Sequence, residues 1–296
     1  MITTSDEVPS SRAAPRGATK LSRPNGQRLI VNADDFGRSE SINQAVIRAH
    51  REGILTTASL MLNETSFDEA VALARDNPRL GVGLHLTLLC GHSALSHREI
   101  PGLVNEAREF SDKPISVGLR YFTQRQLHAQ LRAEIFAQFK KFRATGLPLD
   151  HVNGHLHLHM HPIIFNILME HAAELGITHM RWTRDPFWLN TRLASGAWGY
   201  RTVHALVYQI LSQRARPALL RRRIKHTPGV FGLLQNARVD EDYVTRLLPV
   251  LPAGDSELYS HPSLDEFKNE FDALMSPRVW ALVEKLGIKL IRYQDL

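Results

Sequence analysis

The chain has 296 residues, 43% of them hydrophobic and 22% charged, an ordinary globular composition that excludes a fully disordered chain or a collagen-like fibre. One cysteine, Cys90, excludes an internal disulfide and a cysteine-based zinc cluster. The formal charge is +6, the sequence pI is near 9.6, and there are 15 histidines, a common metal ligand and acid/base group at neutral pH.

Residues 1–27 are polar, rich in Ser, Thr, Pro, Gly and Arg, and contain no apolar h-region. They read as a flexible tail, with 28–296 as a single domain. No later window holds the roughly 18 uninterrupted apolar residues of a spanning helix, so a soluble, cytoplasmic protein is expected. The run 29–33 predicts a buried strand. Ser39 or Ser41 then caps a helix reaching about Arg51. A strand at 57–62 and a helix at 67–75 follow, the helix closed by Asn77-Pro78. Residues 80–86 predict a third strand, 124–144 a long amphipathic helix ended by Gly146, and 150–153 another strand. A helix at 163–175 stops at Gly176. Strands at 178–182, 257–260 and 289–292 and a helix at 279–286 complete the order. Such alternation predicts a parallel sheet with helices outside, and the length suits one α/β barrel of roughly 250 residues. Functional residues are then expected where strands end.

Four clusters sit at such ends. Asn32-Ala33-Asp34-Asp35-Phe36-Gly37 follows the first strand. Adjacent carboxylates on an extended chain point to opposite sides, so one can bind a metal while the other faces a substrate water. A solvated turn explains the same residues equally well. His85 ends the third strand among apolar neighbours, where a hydrogen-bonded core histidine is the plainer reading. The run from His151 to His161 carries five further histidines on alternate residues apart from Asn153. If it is extended, His155, His157, His159 and His161 share one face. Crowded imidazoles avoid repulsion when they stay neutral around a cation. A terminal tag would lack the interleaved Leu and Met. His261, before Pro262, ends the strand at 257–260. Asp and His at four strand ends together indicate one mononuclear metal site with acid/base groups beside it. Such O/N ligation suits Zn²⁺, Mg²⁺, Mn²⁺ or Co²⁺.

These motifs, in this order, resemble the YdjC-like carbohydrate deacetylases, which include chitooligosaccharide deacetylases. The likeness runs from about Leu29 to Ile291. The stretch from Asn32 through the segment at 72–85, with 230–235, is most similar to the hopanoid-biosynthesis-associated branch. The resemblance implies a distorted (β/α) TIM-like barrel and a hydrolytic N-deacetylase with one divalent ion per chain, Zn²⁺ or Mg²⁺. It implies Asp35, His85 and His155 as metal ligands, Asp34 as general base and His261 as general acid. Arg184-Asp185-Pro186-Phe187 is similar to the Arg-x-Pro-aromatic motif of the related NodB-type deacetylases, in which the arginine orients the catalytic aspartate, so Arg184 is the candidate here. Many relatives have Asp-Ser where this chain has Asn153-Gly154, which removes a carboxylate from beside the ligands and leaves the metal preference open. The implied substrate is an N-acetylated amino sugar, an N-acetylglucosaminyl hopanoid lipid or a soluble chitooligosaccharide.

Between 184 and 239 the alternation breaks into a basic, aromatic insert. Arg214, Arg216, Arg221, Arg222, Arg223 and Lys225 carry as many charges as the whole chain's excess, with no acid among them. A solvated helix face accounts for them. A lid that docks on anionic lipid headgroups is the sharper reading, with peripheral contact at the inner membrane face. Nucleic acid is not expected as a partner, because no recognition motif accompanies the charge. A homodimer is compatible with this reading, and a histidine-rich metal-storage or metal-sensing protein is the competing class.

Overall fold

The computed structural model describes residues 26–193, 196, 198–235 and 238–296. The expected tail lies outside the described residues as far as position 25, and Gln27 already belongs to the first strand. The strands are β1 (Gln27–Phe36), β2 (Thr57–Leu60), β3 (Gly81–Leu86), β4 (Val152–Gly154), β5 (Val230–Phe231), β6 (Gly254–Ser260) and β7 (Lys289–Leu290). They pair in parallel in the order β4-β3-β2-β1-β6-β5, with β7 also on β1. β1 is buried along almost its whole length, as expected of an apolar strand covered on both faces.

The stretch expected as a strand at 178–182 forms only single bridges. Its backbone still bonds to both sides. Val152 N–H donates to the His179 carbonyl and Arg181 N–H to the Val152 carbonyl, each at 3.0 Å. On the other side Met180 N–H donates to Lys225 O at 3.0 Å and Val230 N–H to Arg184 O at 2.8 Å. With β5 paired to β6, these bonds carry the sheet round from β4 to β5. The result is the expected TIM-like barrel, distorted where this arc is irregular.

The helices are α1 (Glu40–Glu52), α2 (Phe67–Asp76), α3 (Pro114–Thr123), α4 (His128–Ala144), α5 (Pro162–Glu170), α6 (Ala172–Leu175), α7 (Phe187–Leu193), α8 (Trp198–Arg221), α9 (Glu241–Leu247), α10 (Lys268–Met275) and α11 (Pro277–Leu286). Ser39 is the α1 cap, its hydroxyl accepting from Ile42 N–H at 3.3 Å. The expected 124–144 helix begins later, at His128, after a 3₁₀ turn. The expected 163–175 helix breaks at His171 into α5 and α6. Most buried apolar side chains from Leu29 to Ile288 form one large core between sheet and helices, and Ile30, Ile291 and Tyr293 form a smaller second cluster.

One local irregularity positions the site. The β1–β2 register shifts between Ala33 and Phe36, and Asp35 lies in the left-handed region at φ 64°. Aspartate tolerates that region better than most residues. Gly37 follows at φ 94°, where a Cβ would come within 2.8 Å of the Met61 carbonyl oxygen. Only glycine fits that turn.

Candidate active site

The bulge separates the two adjacent carboxylates. Asp35 Oδ1 lies 2.9 Å from His155 Nδ1 and 3.2 Å from His85 Nε2. Arg38, partly exposed, donates to Asp35 Oδ2 at 3.0 Å. Asp34 instead faces Arg181, which donates from its two terminal nitrogens to Oδ2 at 2.6 Å and Oδ1 at 2.9 Å. Asn32 Nδ2 at 2.8 Å and Asn153 Nδ2 at 3.0 Å also donate to Asp34 Oδ1. Three donors therefore fill Oδ1, whereas Oδ2 receives only one and keeps a lone pair for a ligand. Burial alone would raise both carboxyls. The Arg181 charge and bonds outweigh it at Asp34, and the His155 and His85 rings outweigh it at Asp35, so both lie well below the usual carboxylate range.

His85 closes β3 and His155 follows β4, which bond to each other, so the two rings meet edge-on with centroids 5.5 Å apart. One ligand atom from each of Asp35, His85 and His155 lies within 4.8 Å of the others, and all three residues are buried. Two imidazoles and a carboxylate are a fitting donor set for a divalent cation. The charge balance is compatible. Of three buried carboxylates, Asp34 and Glu257 share the buried guanidinium of Arg181, and Asp35 meets the partly exposed Arg38. One negative charge is left over, which a cation at the site would offset. Among the described residues this is the one cluster of three such ligands, which favours a single-ion site over metal storage.

The histidine run is not extended. After Gly154 the chain enters a 3₁₀ turn, His155–Met160, with Leu156 and His157 at φ 48° and 59°. The four rings therefore share no face. His155 stays beside Asp35 and His85. His157 packs edge-on between Tyr208 and Tyr259, with centroids 5.5 and 5.4 Å away. His159 donates from Nε2 to the Arg181 carbonyl at 3.1 Å. Burial, with the Arg181 charge added, holds His157 well below the usual range and His159 down to about 3, so both rings are neutral. His161 leaves the group to cap α5 and to donate from Nε2 to the Gly118 carbonyl at 3.0 Å.

His261 follows β6. Its Nε2 is 3.1 Å from the Tyr259 hydroxyl, and its Nδ1 is 3.8 Å from the buried Glu270 carboxylate. Asp34, His85, His155, His157, Tyr259 and His261 together line one cavity of about 390 Å³, walled on the far side by α8.

Arg184 does not join them. Its guanidinium donates to the Pro228 carbonyl at 3.3 Å and stacks over Trp182 at 5.5 Å. The role expected of it at Asp34 is taken by Arg181, three residues earlier, because side chains alternate along this stretch and Arg181 is the one turned into the barrel. A lone arginine inside an expected buried strand was the available signal, since a fully buried Arg requires carboxylate partners. Glu257 and Glu270 are likewise site residues that the sequence does not single out, while Asn153 stands where it is expected, beside the ligands.

The basic run starts on α8 and continues past its end. α8 begins beside the cavity, where Tyr200, His204 and Tyr208 line it, and its 24 residues extend about 36 Å at 1.5 Å each. Arg222, beyond its far end, donates to the Met169 carbonyl at 2.5 Å, and Lys225 donates to the Leu296 carbonyl. These two cations anchor the chain after α8 to the carbonyls of Met169 and Leu296, whereas Arg214 acts on His161 at the cavity. No helix among the described residues is long and apolar enough to cross a membrane.

The parallel barrel with Asp and His side chains converging at its strand ends defines the class of the molecule. The family model of YdjC-like proteins matches residues 28–285, and the chain belongs to that family. It is 41% identical over 153 residues to the carbohydrate deacetylase of Brevibacillus brevis, covering 51% of this chain and 57% of that one. It is 38% identical over 146 residues to the carbohydrate deacetylase of Geobacillus stearothermophilus, covering 49% and 55%. It is 36% identical over 152 residues to the chitooligosaccharide deacetylase of Proteus mirabilis, covering 50% and 56%. The matched stretch thus spans little more than half of each relative. A crystal structure of a candidate cellobiose-phosphate cleavage protein from Enterococcus faecalis V583 shares the fold, with TM-score 0.69, 22% identity, and coverage of 91% of this chain and 98% of that one.

Proposed function

We propose that this protein is a divalent-metal-dependent hydrolase that removes the acetyl group from an N-acetylated amino sugar. The observation that carries the reading is Asp34, fixed by Arg181, in the same cavity as two histidines of the Asp35–His85–His155 cluster. The names of the relatives support the same chemistry. Amide hydrolysis needs an activated water, stabilisation of charge on the carbonyl oxygen, and a proton for the departing amine. Asp35, His85 and His155 would hold the cation, which when bound polarises a carbonyl and acidifies water. Asp34 Oδ2 takes the proton of the attacking water. Arg181 keeps that carboxylate ionised and aimed. His261, when protonated, delivers a proton to the leaving nitrogen. Tyr208, Tyr259 and His157 offer ring faces and edges for a sugar.

Two substrate classes fit this chemistry. The surface around the cavity favours a lipid-linked amino sugar, such as the acetylglucosaminyl hopanoid suggested by the sequence. Ile115 (88% exposed), Leu119 and Phe122 form one open face of α3, whose first residue, Pro114, lines the cavity. Leu156 and, on α8, Val203, Leu206, Val207 and Ile210 are also exposed. An apolar surface of this extent beside a polar site suits an amphiphile or an apolar partner surface. A soluble chitooligosaccharide is the second reading, supported by the name of the Proteus mirabilis relative. Mass spectrometry of an acetylated glucosaminyl lipid and of chitobiose, each incubated with metal-loaded protein, decides between them. Loss of one acetyl group from the lipid alone supports the first reading and from chitobiose alone the second. Loss from neither rejects the deacetylase reading.

A further inference from the structure

Beneath the site lies a buried array that the proposed reaction leaves unused. Ser59 Oγ on β2 accepts from Asn153 Nδ2 at 2.9 Å and from Asn32 Nδ2 at 3.0 Å. With both acceptor positions filled, its single proton goes to His151 Nε2, 2.9 Å away, the other oxygen within reach, Asn32 Oδ1, being more distant at 3.4 Å. His151 Nε2 is therefore an acceptor and its ring proton sits on Nδ1, 2.9 Å from Asp150 Oδ2. Ser59, His151 and Asp150 have the polarity of a hydrolytic triad, but all three are buried and none lines the cavity. The ring is firmly seated. A Cβ on Gly83 would lie 2.5 Å from His151 Cε1, and Tyr293 stacks on the other face at 4.4 Å.

The array ends on Asn153, which touches both halves of the site. Its Nδ2 donates to Asp34 Oδ1 at 3.0 Å, and its Oδ1 accepts from His85 Nδ1 at 2.7 Å. We propose that Ser59, His151 and Asp150 are positioning residues that fix the orientation of the Asn153 amide, and through it set the proton on His85 Nδ1. That leaves His85 Nε2, the nitrogen facing Asp35, free to hold a cation. A flipped Asn153 would turn its oxygen toward Asp34 and its NH₂ toward His85 Nδ1. The ring proton would then move to Nε2 and block the ligand. The inference rests on the reading of Asp35, His85 and His155 as cation ligands, and it explains how an uncharged residue at 153 serves both neighbours.

The test is Zn²⁺ calorimetry and imidazole ¹⁵N spectra on the wild type, Ser59→Ala, Asn153→Ala and the double variant. Ser59→Ala is expected to weaken Zn²⁺ binding about 10- to 100-fold, the usual size for groups that orient ligands. The double variant is expected to be no weaker than Asn153→Ala, because Ser59 acts through Asn153. His85 is expected to carry its proton on Nδ1 in the wild type and to be divided between the Nδ1–H and Nε2–H tautomers in Ser59→Ala. Should Ser59→Ala fail to fold, Ser59→Cys keeps the volume, weakens the acceptor and is expected to shift the same readouts. Unchanged Zn²⁺ affinity and His85 signals in the folded variant, or losses that multiply in the double variant, overturn the relay alone. A wild type that binds no Zn²⁺ overturns both the relay and the cation reading.

Discussion

Arg181 grips Asp34 with two parallel bonds, 2.6 Å to Oδ2 and 2.9 Å to Oδ1, while a second carboxylate, Glu257, holds the same guanidinium at 2.7 Å. A fork between two acids fixes the plane as well as the charge of Asp34, which an ammonium cannot do. Arg181→Lys is therefore expected to lower kcat at least about 100-fold with little change in KM, at the low end of what one proton-transfer group contributes. Arg184→Gln is expected to stay within a few-fold of wild type. Steady-state kinetics on the two variants check this, and equal losses would return Arg184 to the site. Arg181→Ala is a poor probe, because stranding two buried carboxylates costs about 3–5 kcal/mol.

The cation ligands make a separate prediction. Asp35→Ala, His85→Ala and His155→Ala are each expected to lose bound metal, measured as metal content after dialysis. Chelation of the wild type is expected to lower its melting midpoint, because an ion that binds only the folded chain stabilises it by mass action. Chelation should not lower the midpoint of the three variants. A midpoint that ignores chelator in the wild type would contradict the ligand set.

His159 gives a pH dependence. Its folded pKa is depressed to about 3, below the ordinary value of 6.5, chiefly by burial. As pH falls below 6.5 the unfolded chain takes up this proton and the folded chain does not, so stability declines toward acid and is intact above 6.5. The loss is on the order of a few kcal/mol by the time pH reaches 3. Denaturant midpoints of wild type and His159→Gln between pH 6.5 and about 4.5, above most carboxylate titration, read it directly. The glutamine variant is expected to flatten the slope, and an identical slope would assign the acid sensitivity elsewhere.

The exposed apolar face is tested by Ile115→Ser/Leu119→Ser on α3. Both side chains are exposed, so the fold should lose less than about 0.5 kcal/mol. Activity on a lipid-linked acetylated sugar is expected to fall through KM, while activity on chitobiose stays constant. Equal effects on the two substrates would remove this face from substrate recognition.

Much of this arrangement was legible in the sequence. The alternation of apolar runs and capped helices predicts a parallel barrel, because residues 29–31 and β3 are apolar runs, Ser39 caps the start of α1 and Gly176 stops α6. Asp34, Asp35, His85, His155 and His261 each stand at or just past the end of a strand, which marks them as candidates, while their separate roles are implied only by the resemblance to the deacetylase family. What was not legible depends on backbone geometry that no spacing encodes. The bulge at Asp35 and the left-handed pair Leu156–His157 decide which histidines converge, and a period-of-two reading cannot foresee them. The local motif points to Arg184, whereas the partner of Asp34, Arg181, is set by which side of an irregular strand faces inward. The basic run read as one patch because charge was counted along the chain. In space the run divides: Arg222 and Lys225 donate to the Met169 and Leu296 carbonyls, and Arg214 acts on His161 at the cavity.

The most direct test of the account is Asp34→Asn, with bound metal and acetate release measured on the same sample. The substitution keeps the shape of the side chain and leaves Asp35, His85 and His155 untouched. The account predicts one divalent ion per chain, as in wild type, with acetate release reduced by about 10²–10⁴. Full metal-dependent acetate release by this variant would contradict Asp34 as the base, and loss of the ion would contradict the division of roles between the two adjacent aspartates.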